Sequence, residues 1–241
     1  MITVFKKELV GFLNSSIAWM VIVVFLAGIG LPTWVFPETS VLDYGYADLT
    51  SLFNTGPWLL MFLSSSITMK TFAEERKMGT LEMLLTRPVS DTGVVAGKFF
   101  AAWALVTIAL LPTLTYYFSV YELGNPPGNL DTPGFIGSWI GLILLAGVFI
   151  SFGVLGSSLT NSQIVSFLIS ALWCFLMWTG WESIADLLPW VDGALTRQLG
   201  IFYHYESIGR GLIDSRDLIY FFSLIVFNLT VSLTILASRK W

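Results

Sequence analysis

Long apolar runs separated by short polar ones dominate this chain. Six of them read as membrane-crossing helices, at about residues 17–36, 56–69, 94–121, 135–157, 164–181 and 218–237. The yardstick is the ~20 helical residues that cross a ~30 Å hydrocarbon layer. Trp19 and Trp34 mark the ends of the first run, where amphipathic rings settle at the two interfaces. The second and shortest run is entered through Gly56-Pro57, with proline suited to a first helical turn, and it contains Ser64-Ser65-Ser66. Pro112 predicts a kink in the third. With every run helical, each backbone polar group is satisfied within its own segment, as lipid requires. The pattern therefore predicts an all-α membrane protein, a single transmembrane domain over residues 1–241 with six transmembrane helices.

Ahead of the first run, Ile2, Phe5, Leu9, Phe12 and Leu13 fall on one arc of a helix, flanked by Lys6. Residues 1–16 are expected to form an amphipathic helix on the inner membrane surface, its lysines facing anionic headgroups of membrane lipids. The alternative is an N-terminal extension of the first span; Asn14-Ser15-Ser16 supplies a bend and cap between the two. The first run is longer than the apolar part of a signal peptide and is read as retained. Of the intervening segments, Pro37–Thr55 is acidic and Asn125-Pro126-Pro127-Gly128 is a turn signal. Glu182–Asp217 mixes apolar and polar positions in a way that suits short re-entrant or interfacial helices.

Composition agrees: 55% of residues are hydrophobic, 12% are charged, and mean hydropathy is +0.77. The charges are unevenly placed. Lys6, Lys7, Lys70, Arg76, Lys77, Arg87, Lys98, Arg239 and Lys240 fall at one set of span ends, while the other set holds Arg197, Arg210 and Arg216. Positive residues favour the cytoplasmic side, so both termini are expected in the cytoplasm, as an even number of spans requires. Cys174, the single cysteine, has no intrachain disulfide partner.

Within the spans, acidic and basic residues occur only at the cytoplasmic edges, which disfavours an ion-coupled transporter with a charged pathway. His204 is the one histidine, so no His pair for a metal exists, and it reads as a surface residue. Gly93–Lys98 is one residue too short for a phosphate loop, and Phe99 stands where such a loop needs Ser or Thr. Lys98 reads instead as an inner-surface anchor at the foot of the third span. No catalytic residue, cofactor site or nucleic-acid site is expected.

The stretch Thr71–Ser90 departs from this economy of charge, with Glu74, Glu75, Arg76, Lys77, Glu82 and Arg87 close together. Gly79 interrupts helix, Thr80 can cap a new start, and Glu82 suits its first turn. Leu81 to Thr86 then reads as a short helix closed by Pro88. Such an elbow either docks a soluble partner, with Leu81, Met83, Leu84 and Leu85 in a groove and charges at the rim, or rests on headgroups.

Phe72-Ala73-Glu74-Glu75-Arg76, Gly79-Thr80-Leu81-Glu82, Leu84-Leu85 and Pro88-Val89-Ser90, with Gly97-Lys98 downstream, resemble the cytoplasmic signature of ABC-2-type transporter permeases. Phe5-Lys6-Lys7-Glu8-Leu9 and Gly209–Tyr220 are similar to that family's first helix and approach to the last span. Leu42–Asp48 and Leu110–Leu114 resemble, more narrowly, the gliding-motility-associated ABC permeases, F subunit, of Bacteroidetes-type bacteria. The resemblance implies a permease subunit of the bacterial inner membrane, powered in trans by ABC ATPase subunits. Glu74, Glu75, Arg76, Gly79, Thr80, Leu81, Glu82, Leu84 and Leu85 would then form the coupling helix. The narrower likeness implies a second permease-type membrane subunit with an extracytoplasmic portion, in a gliding-motility or surface-protein export complex. Rival expectations are a lipid, polysaccharide or drug exporter subunit, or a mechanotransmission subunit that moves no solute. On the outer face, Arg197, Arg210, Asp214, Arg216 and Asp217 are candidates for a gate or partner contact. Arg210 or Arg216 is expected to pair with a nearby acid or a lipid phosphate. The bland alternative is that these residues cap the last span. Gly137, Gly141, Gly147, Gly153 and Gly156 allow close helix approach, within the chain or between subunits.

Overall fold

A computed structural model describes residues 1–80, 90–187, 193–211 and 213–238, and among these there are helices and connections but no strand. The helices are α1 (Ile2–Leu13), α2 (Ser16–Trp34), α3 (Val41–Tyr44), α4 (Thr50–Thr68), α5 (Ala73–Lys77), α6 (Asp91–Leu110), α7 (Leu114–Leu123), α8 (Thr132–Leu159), α9 (Gln163–Phe175), α10 (Trp181–Leu187), α11 (Gly193–Gln198), α12 (Ile201–Gly209) and α13 (Ser215–Ala237). A 3-10 turn, Leu111–Thr113, joins α6 to α7, so Pro112 breaks the third span where expected. A π-helical turn, Leu176–Gly180, joins α9 to α10. Nothing in the sequence pattern had announced it.

Among the described residues, five helical stretches are long and apolar enough to cross a membrane: Ser16–Trp34, Asp91–Leu123, Thr132–Leu159, Gln163–Leu187 and Ser215–Ala237. The chain is a multi-pass membrane protein. The stretch expected as the second span is helical too, but α4 begins at Thr50 rather than Gly56, and its hydroxyls and Asn54 dilute its hydropathy. Its environment explains this tolerance. α4 packs against α2, α8 and α9 and buries Leu52, Leu60, Leu63 and Ile67. Two of its buried hydroxyls turn back onto the helix, Ser64 to the Met61 carbonyl and Thr68 to that of Ser64.

Pro57 accordingly lies well inside α4 and not in its first turn. A proline in a helix interior removes one amide donor and frees the carbonyl four residues earlier, here that of Phe53. The Tyr205 hydroxyl, from α12, donates to that carbonyl at 3.2 Å. An intrahelical defect has become a tertiary hydrogen bond.

α8 is the central helix, packed by α4, α6, α9, α12 and α13. Its glycines settle their own question. A Cβ at Gly137 would strike the Ile208 carbonyl, at Gly153 the Thr68 side chain and at Gly156 the Ser170 hydroxyl, while Gly141 faces Tyr205 and Gly147 faces Ile225 and Trp103. All five close approaches are made within this chain. At its middle, the buried Asn228 amide of α13 donates to the Ser151 hydroxyl at 2.9 Å.

α1 is a separate helix, ended at Asn14, and not an extension of α2. Its expected apolar arc is divided. Of its residues, Leu9 and Phe12 pack on the core beside the buried Val4 and Phe5 is half-buried, whereas Ile2 and Leu13 remain exposed beside Lys6 and Lys7. Gly97 explains the close seating of α1 on α6: a Cβ there would come within 3.0 Å of the Val4 Cβ and 3.1 Å of the Met1 carbonyl oxygen.

Candidate functional site

At one end of the bundle the chain turns back through residues 69–80, the elbow. Its depth is set by Phe72 and Ala73, both fully buried. The Phe72 amide donates to the Ser157 hydroxyl at the end of α8 at 3.1 Å. α5 follows for five residues, and Gly79 ends it in the left-handed region at φ 68°, as its place in the sequence predicted. The Thr80 hydroxyl donates to the Glu75 carbonyl. Leu81, Glu82, Leu84 and Leu85, expected to form the helix beyond, lie outside the described residues.

Lys98 is the surprise. It is not a surface anchor: its side chain is 1% exposed. Its ammonium donates to Glu75 Oε1 at 2.8 Å, the Thr71 carbonyl at 2.8 Å and Glu8 Oε1 at 3.1 Å, and stands 5.2 Å from the centre of the Phe72 ring. An ammonium has three N–H donors, and here each has an acceptor. Those acceptors come from α1 and the elbow, while the lysine comes from α6. Burying an unpaired charge would cost several kcal/mol, so these partners are a condition of Lys98 being where it is.

This arrangement sorts the expected coupling residues. Glu75 is committed inward, with its side chain 15% exposed, whereas Glu74 is half-buried and Lys77, Met78, Gly79 and Thr80 are exposed. Glu8 and Lys98 had gone unremarked as a pair. Ninety residues separate them, and the cue that could have joined them is Gly97, which admits α1 to the lysine's neighbourhood. Gly93–Lys98 is part of helix α6, capped by the Ser90 hydroxyl on the Gly93 amide, so it forms no loop.

At the opposite end, α12 lays Ile201, Tyr205 and Ile208 against α8. The buried Trp178, carried by the π-helical turn, meets the Phe202 ring edge-on at 5.2 Å and the Tyr205 ring at 5.4 Å. Burial pushes the Tyr205 phenol well above its usual range, so it stays a donor to Phe53. His204 is not a free surface residue. Its Nδ1 lies 2.7 Å from Asp217 Oδ1, its Nε2 lies 2.9 Å from the Gln198 carbonyl, and its ring stacks on Tyr220 at 3.9 Å.

The expected pairing of Arg210 or Arg216 with an acid does not occur among the described residues. Arg197 pairs with Asp186 instead, at 2.8 Å on the surface. Two of the nearby acids are otherwise engaged. Asp214 caps α13 through the Arg216 amide, and Asp217 is 4% exposed and taken by His204. The capping alternative thus holds for Asp214.

The family model of the ABC-2 family transporter proteins matches residues 39–189, well over half of the chain. The chain belongs to that family. No curated protein matches it. ABC-2 proteins are membrane subunits of ABC transporters and generally partner with ABC ATPase subunits. The matched stretch of this ABC-2 protein includes the elbow, Lys98 and the central α8. Glu8 and the His204–Asp217 cluster lie outside it.

Proposed function

We propose that this chain is the permease subunit of a bacterial inner-membrane ABC transporter, coupled in trans to its ATPase through the elbow. It crosses the membrane six times with both termini in the cytoplasm, α4 being the sixth span despite its modest hydropathy. Two observations support that topology. Helix α4 has 19 residues and is enclosed by α2, α8 and α9, and a helix shielded by protein need not be apolar all round. Lys6, Lys7, Lys70, Arg76, Lys77 and Lys98 gather at the elbow end, whereas Arg197, Arg210 and Arg216 stand at the other.

The observation that carries the reading is the elbow itself. A short charged segment of an ABC-2 protein is bound to α8 through Phe72 and to α6 through Glu75, and it is exposed from Lys77 to Thr80. Glu74 to Leu85 is the ATPase-docking segment, with Leu81, Leu84 and Leu85 in the partner's groove, Glu74, Arg76 and Glu82 at its rim, and Glu75 turned inward onto Lys98 and away from the partner. Lipid headgroups are met by the exposed Ile2, Val10 and Leu13 of α1 with its lysines. The second membrane subunit is of permease type with an extracytoplasmic portion, in a complex for gliding motility or surface-protein export. Residues Arg197–Asp217 form the outer gate or partner surface.

Docking is tested by Leu84→Asp/Leu85→Asp, with Glu75 left intact because it serves Lys98. The doubly substituted chain is expected to elute in detergent like the wild type but to lose its ATPase subunits on affinity isolation. Retention of the ATPase at high salt would remove the docking reading.

A further inference from the structure

We propose that Lys98 is a positioning residue that locks α1, the elbow and the base of α6 into one moving body, so that displacement of the elbow reaches the first span as well as the second and third. The inference rests on the coupling reading and adds a route to it. The elbow is continuous with α4 through Met69 and Lys70, and with α6 through residues 81–90. To α1 it has no short covalent path. Among the described residues a charged link runs through one ammonium, from Glu75 Oε1 to Lys98 Nζ to Glu8 Oε1.

Three features make that link stiff. The lysine is 1% exposed, and separating it from either carboxylate would leave charge uncompensated in a dry site. Its Thr71 carbonyl contact and its place beside the Phe72 ring fix the ammonium against the elbow backbone rather than against one flexible side chain. The Val4–Gly97 approach then holds α1 down on α6 beside the pair. α5 has five residues, too few to be stable alone, so its orientation is borrowed from these partners. From α1 the chain enters α2 across Asn14 and Ser15 alone, so movement of α1 is passed to the first span.

A structural role and a transmitting role separate in the triple variant Glu8→Leu/Glu75→Leu/Lys98→Met. Replacing a whole buried ion cluster by apolar side chains of similar size leaves stability near wild type, whereas Lys98→Met alone strands two carboxylates. Spin-label pairs are placed in a Cys174→Ala background, in the complex isolated with its ATPase. The pair Met78→Cys/Asn161→Cys reports the elbow against the α8–α9 turn, and Thr3→Cys/Met78→Cys reports α1 against the elbow. On addition of a non-hydrolysable ATP analogue, the first distance is expected to shift by ~2 Å or more with the second unchanged in the wild-type background. In the triple variant, with ATPase still bound, the second distance is expected to shift too. An unchanged Thr3–Met78 distance in the triple variant would overturn the proposal. If no ATPase accompanies the wild-type chain, or nucleotide moves neither pair, the coupling reading fails first and this inference falls with it.

Discussion

Replacing Lys98 alone with methionine is expected to destabilise the protein by about 3 kcal/mol, the usual cost of removing one partner from a buried ionic cluster. The side chain is nearly isosteric, so little of that loss comes from packing. It comes from Glu8 and Glu75, which are 17% and 15% exposed and lose their shared counter-charge. The Thr71 carbonyl loses a donor as well. Thermal unfolding in detergent, followed by tryptophan fluorescence, measures the effect. The triple variant lacking all three charges should recover most of it. If Lys98→Met melts like the wild type, the cluster is solvated in solution and its rigidity is not real.

The second large effect is expected at the other end. Tyr205→Phe removes the donor that satisfies the Phe53 carbonyl, which Pro57 has left without its helical partner. An unsatisfied buried carbonyl costs about 1–3 kcal/mol. The sign of a second substitution identifies the cause. Pro57→Ala restores an amide four residues after Phe53, so in that background Tyr205→Phe should cost under about 1 kcal/mol. A double-mutant cycle gives the coupling between the two sites. Equal costs of Tyr205→Phe in both backgrounds would show that the hydroxyl acts only through packing.

These two sites also show what the sequence could and could not disclose. Apolar runs located the long helices because lipid imposes length and composition along a continuous stretch, and Pro112 broke its helix locally. Helix α4 was drawn too short because hydropathy reports exposure to lipid. Its buried Ser64 and Ser65 are shielded by neighbouring helices that no local window can see. Lys98 was misread for the same reason. A lysine at a span end ordinarily snorkels to the surface, and the convergence of Glu75 and the Thr71 carbonyl from the elbow with Glu8 from another helix is what permits its burial. His204, a lone histidine in a polar connection, gave no sign of Asp217 thirteen residues on. The small residues of α8 were legible as sites of close approach, but which helix approaches is a tertiary fact. The docking helix was legible as a motif, and Leu81, Glu82, Leu84 and Leu85 lie outside the described residues.

The most direct test of the central claim, a membrane subunit powered in trans, is ATP hydrolysis by the chain isolated from its native membranes, before and after its partners are stripped away. The account predicts that the intact complex hydrolyses Mg-ATP, that the activity leaves with a separate subunit, and that the stripped chain neither binds nor hydrolyses the nucleotide. Saturable hydrolysis retained by the stripped chain, or native isolates with no ATP-hydrolysing subunit, would contradict it.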